Sequence, residues 1–345
     1  MEIIHIKGST EYDVLVENGI LADVGTLLRE RIGGDKALVV TDDNVARFYL
    51  DEVSEAMADE AYAVTSLIIT PGEENKDIEH YSAILNSLAE EDFGKGDILI
   101  ALGGGVIGDL VGFAAATFKR GMHCVQLPTS LLAAVDSSVG GKNAINLPNA
   151  KNQVGTIRNP DIVICDPNCM ETLPESALHD GYAEIIKYGI LSGYEIIDEL
   201  RSGDLAKVIA MAVGIKRDFV EMDEEDTLFR QYLNLGHMIG HAIEARSGYE
   251  ITHGEAVAKG LSMEARCCAL SGFIEMTTYL EITEILEEFD FDLSCRYSSA
   301  ELLPYIMNDK RIRNGIIQLL IPESIGSCNM QPIAVEKLKD IINLI

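Results

Sequence analysis

"DILIALGGGVIGD", residues 97–109, decides the fold class. Ile98 to Leu102 are an apolar run of strand length, three glycines follow, and helix-like sequence continues beyond them. Gly103, Gly105 and Gly108 fall in GxGxxG spacing. Glycines there permit a tight turn and let a pyrophosphate approach backbone N–H groups at the positive end of a helix. A tight strand-to-helix connection without a ligand has the same spacing. Two features depart from an ordinary dinucleotide fold. The turn follows the third or fourth strand, and no acid lies about 20 residues downstream to hold a ribose. Asp42 and Asn44, at an earlier strand end, are an acid and an amide suited to that role. No Walker lysine follows the glycines, which disfavours an NTPase.

Outward from this turn, the first half alternates β-branched runs with periodic helical stretches. "KALVVTDDN" (36–44), "TSLIITPGEEN" (65–75), "HCVQLPTS" (123–130) and "DIVICDP" (161–167) each read as a buried strand ending in Gly, Pro, Asp, Asn or Ser. Strands separated by helices imply βαβ units and a parallel sheet, with ligands at the carboxyl ends of the strands. From about residue 172 strand signals nearly vanish. "SALHDGYAEIIKYGILSG", "LAKVIAMAVGIKRDFVEMD", "LFRQYLNLGHMIGHAIEAR" and "GEAVAKGLSMEARCCALSG" carry three-and-four helical spacing, and "NGIIQLLIP" (314–322) reads as a late strand. The expectation is an α/β N-terminal domain (1–171) with a parallel-rich sheet and a Rossmann-like nucleotide site. A mainly α-helical C-terminal domain (172–345) follows.

A 345-residue chain with 47% hydrophobic and 24% charged residues is that of a globular protein with room for two cores. The formal net charge of −29 argues against nucleic acid or an anionic membrane as partner. It also makes any gathering of Lys and Arg informative. No apolar run reaches the roughly 20 residues of a membrane span, and the N-terminus alternates like a strand rather than a signal peptide, so a cytoplasmic protein is expected. The seven cysteines form no CxxC pair and read as reduced core residues.

"LNLGHMIGHAIEARSGYEITHGE" (233–255) holds three of the seven histidines, His237, His241 and His253. Residues four apart share a helix face, so His237 and His241 either share an ion or divide ligation from proton handling. An HExxH protease motif is excluded, because Met238, Ile239 and Gly240 separate the pair.

Five blocks, "GGGVIGDLVGFAAATFKRG", "LPTSLLAAVDSSVGGKNAINLPNAKNQVG", "LHDGYAEIIKYG", "LNLGHMIGHAIE" and "HGEAVAKG", together resemble the 3-dehydroquinate synthase family in order and approximate separation. The wider superfamily joins sugar phosphate cyclases to iron-type alcohol and glycerol dehydrogenases; the lysine-rich central block is particular to the cyclases. The resemblance implies a divalent metal, zinc or cobalt, on Glu184, His237 and His253, which leaves His241 for substrate contact or proton handling. One carboxylate with two imidazoles is a catalytic zinc set with open positions. It implies NAD contacts at Asp42 and Asn44 and in the loop Pro71, Gly72, Glu73, Glu74, Asn75 and Lys76. Further NAD contacts would come from Gly104, Gly105, Val106, Ile107, Gly108 and Asp109, from Thr129, Ser130, Asp136, Lys142 and Lys151, and from Cys169, Met170, Glu171, Thr172 and Leu173. Substrate would meet Arg120, Asp136, Lys142, Asn152, Lys187, Lys216, Arg230, Asn234, His241 and Lys310, a largely cationic set able to hold a phosphate and a carboxylate.

The implied reaction converts 3-deoxy-arabino-heptulosonate 7-phosphate to 3-dehydroquinate and phosphate in the shikimate pathway of aromatic amino-acid biosynthesis. A homodimer is implied as well. The alternatives are a sister cyclase or a metal-dependent alcohol or glycerol dehydrogenase. A sister cyclase's substrate lacks the carboxylate, so Lys216 and Arg230 would lose a counter-charge. Ser130 stands where the family usually has threonine, and Arg311 where it has a second lysine.

Overall fold

The computed structural model describes residues 1–148, 150–309 and 311–344. Lys310 therefore lies outside the described residues. The chain packs as two compact units, Met1–Leu173 with Leu205–Glu225, and Pro174–Asp204 with Asp226–Ile345.

In the first unit, β1 (Glu2–Ile6) and β2 (Tyr12–Val16) precede α1 (Val24–Arg31). Then come β3 (Lys36–Asp42), α2 (Asp43–Asp59), β4 (Ala63–Ile69), α3 (Ile78–Glu90), β5 (Ile98–Gly103), α4 (Gly105–Thr117) and β6 (His123–Pro128). A polar hairpin, β7 (Lys142–Leu147) and β8 (Ala150–Ile157), leads to β9 (Ile162–Cys165). The seven-stranded sheet runs β1-β2-β9-β6-β5-β3-β4. All its pairings are parallel except the edge pair of β1 with β2. Every residue of β5 is buried, as a strand covered on both faces requires.

Strand order explains where polar residues collect. After β3 the chain crosses outward through α2 to β4; after β5 it crosses the other way through α4 to β6. The sheet thus has a switch point between the carboxyl ends of β3 and β5, where open α/β sheets leave a crevice. Asp42 ends β3 and the glycine turn ends β5.

The second unit contains α5 (Glu175–Ser192) and α6 (Tyr194–Ser202), and, after the intervening α7 (Leu205–Met222), α8 (His237–Arg246), α9 (His253–Leu270), α10 (Met276–Glu288) and α11 (Ser299–Ile306). An antiparallel ribbon of β10 (Ile316–Ser324) and β11 (Ser327–Ala334) and then α12 (Val335–Ile342) complete it. Its core gathers Ile239 and Ile243 of α8, Cys268 of α9, Leu302 of α11, Leu319 of β10 and Leu338 of α12.

The sequence division near residue 171 put α7 in the second domain, but α7 packs in the first unit. Its buried stripe of Val208, Ile209, Ala212, Val213 and Val220 lies against β1 and β2. Glu221 accepts from the backbone N–H of Lys7 at 2.8 Å, and Glu224 from that of Ser9 at 2.7 Å. Periodicity marks a helix and its apolar face; it does not say which core that face joins. The sequence reading also ran one helix from Leu228 through Arg246. The chain breaks it at Gly236, whose φ of +79° favours glycine, so His237 becomes the first residue of α8.

Candidate active site

In the first unit, α4 starts immediately after β5 with Gly104 as its N-cap. A Cβ on Gly103 would come within 2.7 Å of Ile107, one on Gly105 within 3.0 Å of the Ser137 hydroxyl, and one on Gly108 within 2.8 Å of Gln126. Side chains are excluded along this turn, and the free N–H groups of the first helical turn remain available to an anion. The cradle therefore fits a dinucleotide pyrophosphate. Asp42 caps α2, accepting from Asn44 N at 2.9 Å and Val45 N at 3.1 Å through Oδ1. Thr129 donates its N–H to the Gly103 carbonyl at 3.0 Å, tying the loop after β6 to this turn.

Lys76, 5% exposed, reaches Asp109 of α4 at 2.9 Å and Glu73 at 3.1 Å. Burial raises the Asp109 carboxyl to about 6, against the downward pull of Lys76. Asn146 joins this loop to the hairpin. Its amide donates to the Glu73 side chain at 2.9 Å, and its Oδ1 accepts from the N–H of Asn152 at 2.9 Å. Asn152 sits at φ +54°, a backbone region that asparagine tolerates better than most residues. Lys119 and Arg120 are both left-handed, at φ 47° and 64°. Two such residues in succession cost about 1–2 kcal/mol each, strain of a kind that gathers at functional sites. Asp136 lies in a turn of π-helix, Ala133–Ser137, another feature frequent at such sites. Lys216 of α7 donates to the Asp136 carbonyl at 2.6 Å and pairs with its Oδ1 at 2.7 Å. Lys216 thus has a counter-charge inside the chain. The expectation that it would be left uncompensated without a substrate carboxylate is corrected for this residue.

In the second unit, Glu184 of α5 is fully buried, and His237 and His253 are the first residues of α8 and α9. Glu184 Oε1 lies 3.3 Å from His237 Nε2 and 3.5 Å from His253 Nε2. One ligand atom from each residue lies within 4.8 Å of the others. Glu184 Oε2 accepts from Lys187, one turn along α5, whereas Oε1 is buried with no hydrogen-bond partner. A buried carboxylate oxygen left in this way is rare and calls for an ion.

The imidazoles are turned to meet that need. His237 Nδ1 lies 3.1 Å from the Leu235 carbonyl and His253 Nδ1 3.4 Å from Glu244 Oε1. Acceptors at Nδ1 keep a proton there and leave both Nε2 atoms facing Glu184, where a bound metal would take the place of any proton. Burial acts to raise the Glu184 pKa, but Lys187 and His237 hold it well below the usual carboxylate range. Burial acts to lower His253, yet Glu184 and Glu244 push it up to about 10; the same charges would favour any cation between them. These residues fit a divalent metal. A second group, His241, Glu244 and His253, is also compact enough. There, however, Glu244 is already engaged with the Nδ1 edge of His253, and the partnerless oxygen belongs to Glu184.

His241 shares the α8 face with His237, their rings 5.2 Å apart, and its side chain is 54% exposed. Of the residues expected to meet substrate, Arg120, Asp136, Lys142, Asn152 and Lys216 belong to the first unit, and Lys187, Arg230, Asn234 and His241 to the second. Asn234 donates to the Gln231 carbonyl at 3.2 Å, and Arg230 is only 2% exposed. Sequence reasoning missed Glu244, Asn146, Asp180 and Glu264. Glu264 had left a trace, an acid on the helical stripe of Val257, Leu261 and Cys268.

The fold matches that of solved sugar phosphate cyclases and, with a lower TM-score of 0.64, that of an iron-containing alcohol dehydrogenase. A 2-deoxy-scyllo-inosose synthase complexed with carbaglucose-6-phosphate, NAD+ and Co2+ has the same fold, with TM-score 0.91, 22% identity and coverage of 99% of this chain and 100% of that one. So has a 2-epi-5-epi-valiolone synthase from Streptomyces hygroscopicus with NAD+ and Zn2+ bound, with TM-score 0.88, 21% identity and coverage of 100% and 98%. Family models described as 3-dehydroquinate synthase N-terminal and C-terminal match residues 66–180 and 181–312. The 3-dehydroquinate synthase of Streptococcus pneumoniae serotype 4 is 37% identical over 340 residues, 95% of this chain and 96% of that protein. The Streptococcus gordonii enzyme is likewise 37% identical, over 342 residues and 96% of each chain. The chain belongs to the 3-dehydroquinate synthase family.

Proposed function

We propose that this protein converts 3-deoxy-arabino-heptulosonate 7-phosphate to 3-dehydroquinate and inorganic phosphate. The substrate is oxidised at one ring hydroxyl, loses phosphate by β-elimination, is reduced again, and closes by an intramolecular aldol step. Oxidation and reduction cancel, so no net NADH forms. When bound, NAD supplies a reversible hydride acceptor and the divalent metal a Lewis acid for the substrate oxygens.

The chain's own residues prepare for both. Glu184, His237 and His253 would hold the metal, zinc or cobalt, with Lys187 fixing the second oxygen of Glu184. The glycine turn, Asp42 and the Lys76–Asp109 pair would hold the dinucleotide. Arg120, Lys142, Asn152, Lys216, Arg230 and Asn234 would bind the phosphate and carboxylate ends of the substrate, by charge and by fixed donor geometry. His241, exposed beside His237, would handle a substrate proton. The observation that carries this reading is the partnerless buried oxygen of Glu184, faced by two imidazole nitrogens, in a chain of this family.

Incubation of the purified protein with NAD+, Zn2+ and the heptulosonate phosphate tests it. Phosphate and dehydroquinate should appear in equal amounts with no net absorbance from NADH. Stoichiometric NADH from a simple alcohol would instead make it a dehydrogenase. We place the enzyme in the cytoplasm as a homodimer. Among the described residues no helix is long and apolar enough to cross a membrane; sedimentation checks the dimer.

A further inference from the structure

Glu264 is 4% exposed and sits on the buried stripe of α9. An apolar side chain would cost nothing to bury there, whereas a carboxylate costs several kcal/mol unless its oxygens are satisfied. Both oxygens go to the start of α8: Oε2 accepts from Gly236 N at 2.9 Å and Oε1 from Ile239 N at 3.0 Å. That helix has no cap of its own, because its N-cap, Gly236, has no side chain. The first N–H groups of a helix need acceptors, and a negative charge there also meets the positive end of the helix dipole. His237 lies inside the turn that Glu264 clasps.

Asp180 makes a related, single contact at the start of α9, a helix whose N-cap Thr252 also accepts from Glu255 N at 3.4 Å. Carried by α5 one turn before Glu184, it accepts from Gly254 N at 2.6 Å at the start of α9, beside His253. The helices meet at backbone distance. A Cβ on Gly260 would lie 1.9 Å from the Gly236 carbonyl, and one on Gly254 would lie 2.2 Å from the Asp180 Cα.

We propose that Glu264 and Asp180 are positioning residues for the metal set: each caps, from a helix bearing one ligand, the N-terminus of the helix bearing the next. Asp180 on the Glu184 helix sets the His253 helix, and Glu264 on the His253 helix sets the His237 helix. A metal–nitrogen bond of about 2.0–2.1 Å leaves little room for drift of a helix start. This inference rests on reading Glu184, His237 and His253 as the ligands.

The test uses the full chain loaded with Co2+, whose visible absorption bands report ligand geometry. Glu264→Gln keeps the side-chain shape but offers one acceptor where two N–H groups converge. It should bind Co2+ about 10–100-fold more weakly, the usual effect of losing a group that orients a ligand. Its absorption bands should shift, and kcat at saturating Co2+ should fall more than KM rises. Asp180→Ala, which removes the acceptor of the Gly254 N–H, should do the same through His253. Glu264→Asp keeps both oxygens and should recover part of the affinity; it also decides the matter should Glu264→Gln fail to fold. The control is Ser298→Ala, which removes one half of the exposed capping box of α11 while leaving the Arg246–Glu301 pair in place, and should lower thermal stability with the Co2+ spectrum unchanged. Folded Glu264 variants with parental affinity and spectrum would overturn the inference. If the parent binds no Co2+, or His237→Ala binds it equally well, the ligand assignment itself falls and takes this inference with it.

Discussion

In the first unit, Asp42, the glycine turn and Thr129 stand on loops that leave the ends of separate parallel strands. In the second, Glu184, His237 and His253 stand on three helices, two of them as first residues. Strand-end loops hang from a sheet whose backbone is already satisfied, so each can change with limited effect on its neighbours. The helix-borne set shares its oxygens and N–H groups, so one change should disturb every member. The first region should lose function by degrees and the second all at once.

His237→Ala is the hardest test of that contrast. The variant should retain no metal after dialysis, and turnover should fall by at least about 10³-fold, the loss of several kcal/mol of charge stabilisation. His241→Ala should keep the metal and lose about 10²-fold or more in rate. Equal zinc loss in both variants, read by metal analysis, would erase the division of labour along α8. In the first unit, Gly105→Val fills the cradle, and NAD+ binding measured by calorimetry should weaken by about 100-fold, with metal content untouched. Metal loss in that variant would mean that the two regions do not fail separately.

The mildest effect concerns pH. Asp109 is raised to about 6 in the folded chain, above its unfolded value of about 3.9, so it is neutral in both states at low pH and disfavours folding as pH rises. Lys76 offsets that cost by its charge. Lys76→Met should therefore be destabilised by about 2 kcal/mol at pH 8 and much less at pH 4.5, read from urea midpoints. A loss independent of pH would point to packing rather than charge.

The sequence was legible where a local pattern does the work. The buried strands 98–103, 123–128 and 162–165 end at the punctuation residues that mark them. The hairpin 142–157 was not read as strands, because its polar, asparagine-rich residues are held by Asn146 and by packing on α4 rather than by an apolar alternation. β11, "SCNMQPIA", was missed for a similar reason: it pairs along β10 while burying only Ile333 of its own side chains. At the metal set, spacing singled out His237 and His241 as a pair on one helix face, but His253 and Glu184 came as ligands only through resemblance. Nothing local ties residue 184 to residues 53 and 69 positions away. Glu244, Asp180 and Glu264 act on helices other than their own or on a ring nine residues off, and one-dimensional spacing has no term for that.

The excursion of α7 constrains how this molecule could be taken apart. The polypeptide leaves the first unit after Leu173, returns for residues 205–225, and leaves again. A gene cut at the first crossing would strand α7, with Lys216 and the two acids that clasp the amino-terminal segment, on the wrong fragment. Neither product would be a whole unit: isolating either one requires an internal deletion, of 174–204 or of 205–225, and exchanging one between two chains requires three junctions.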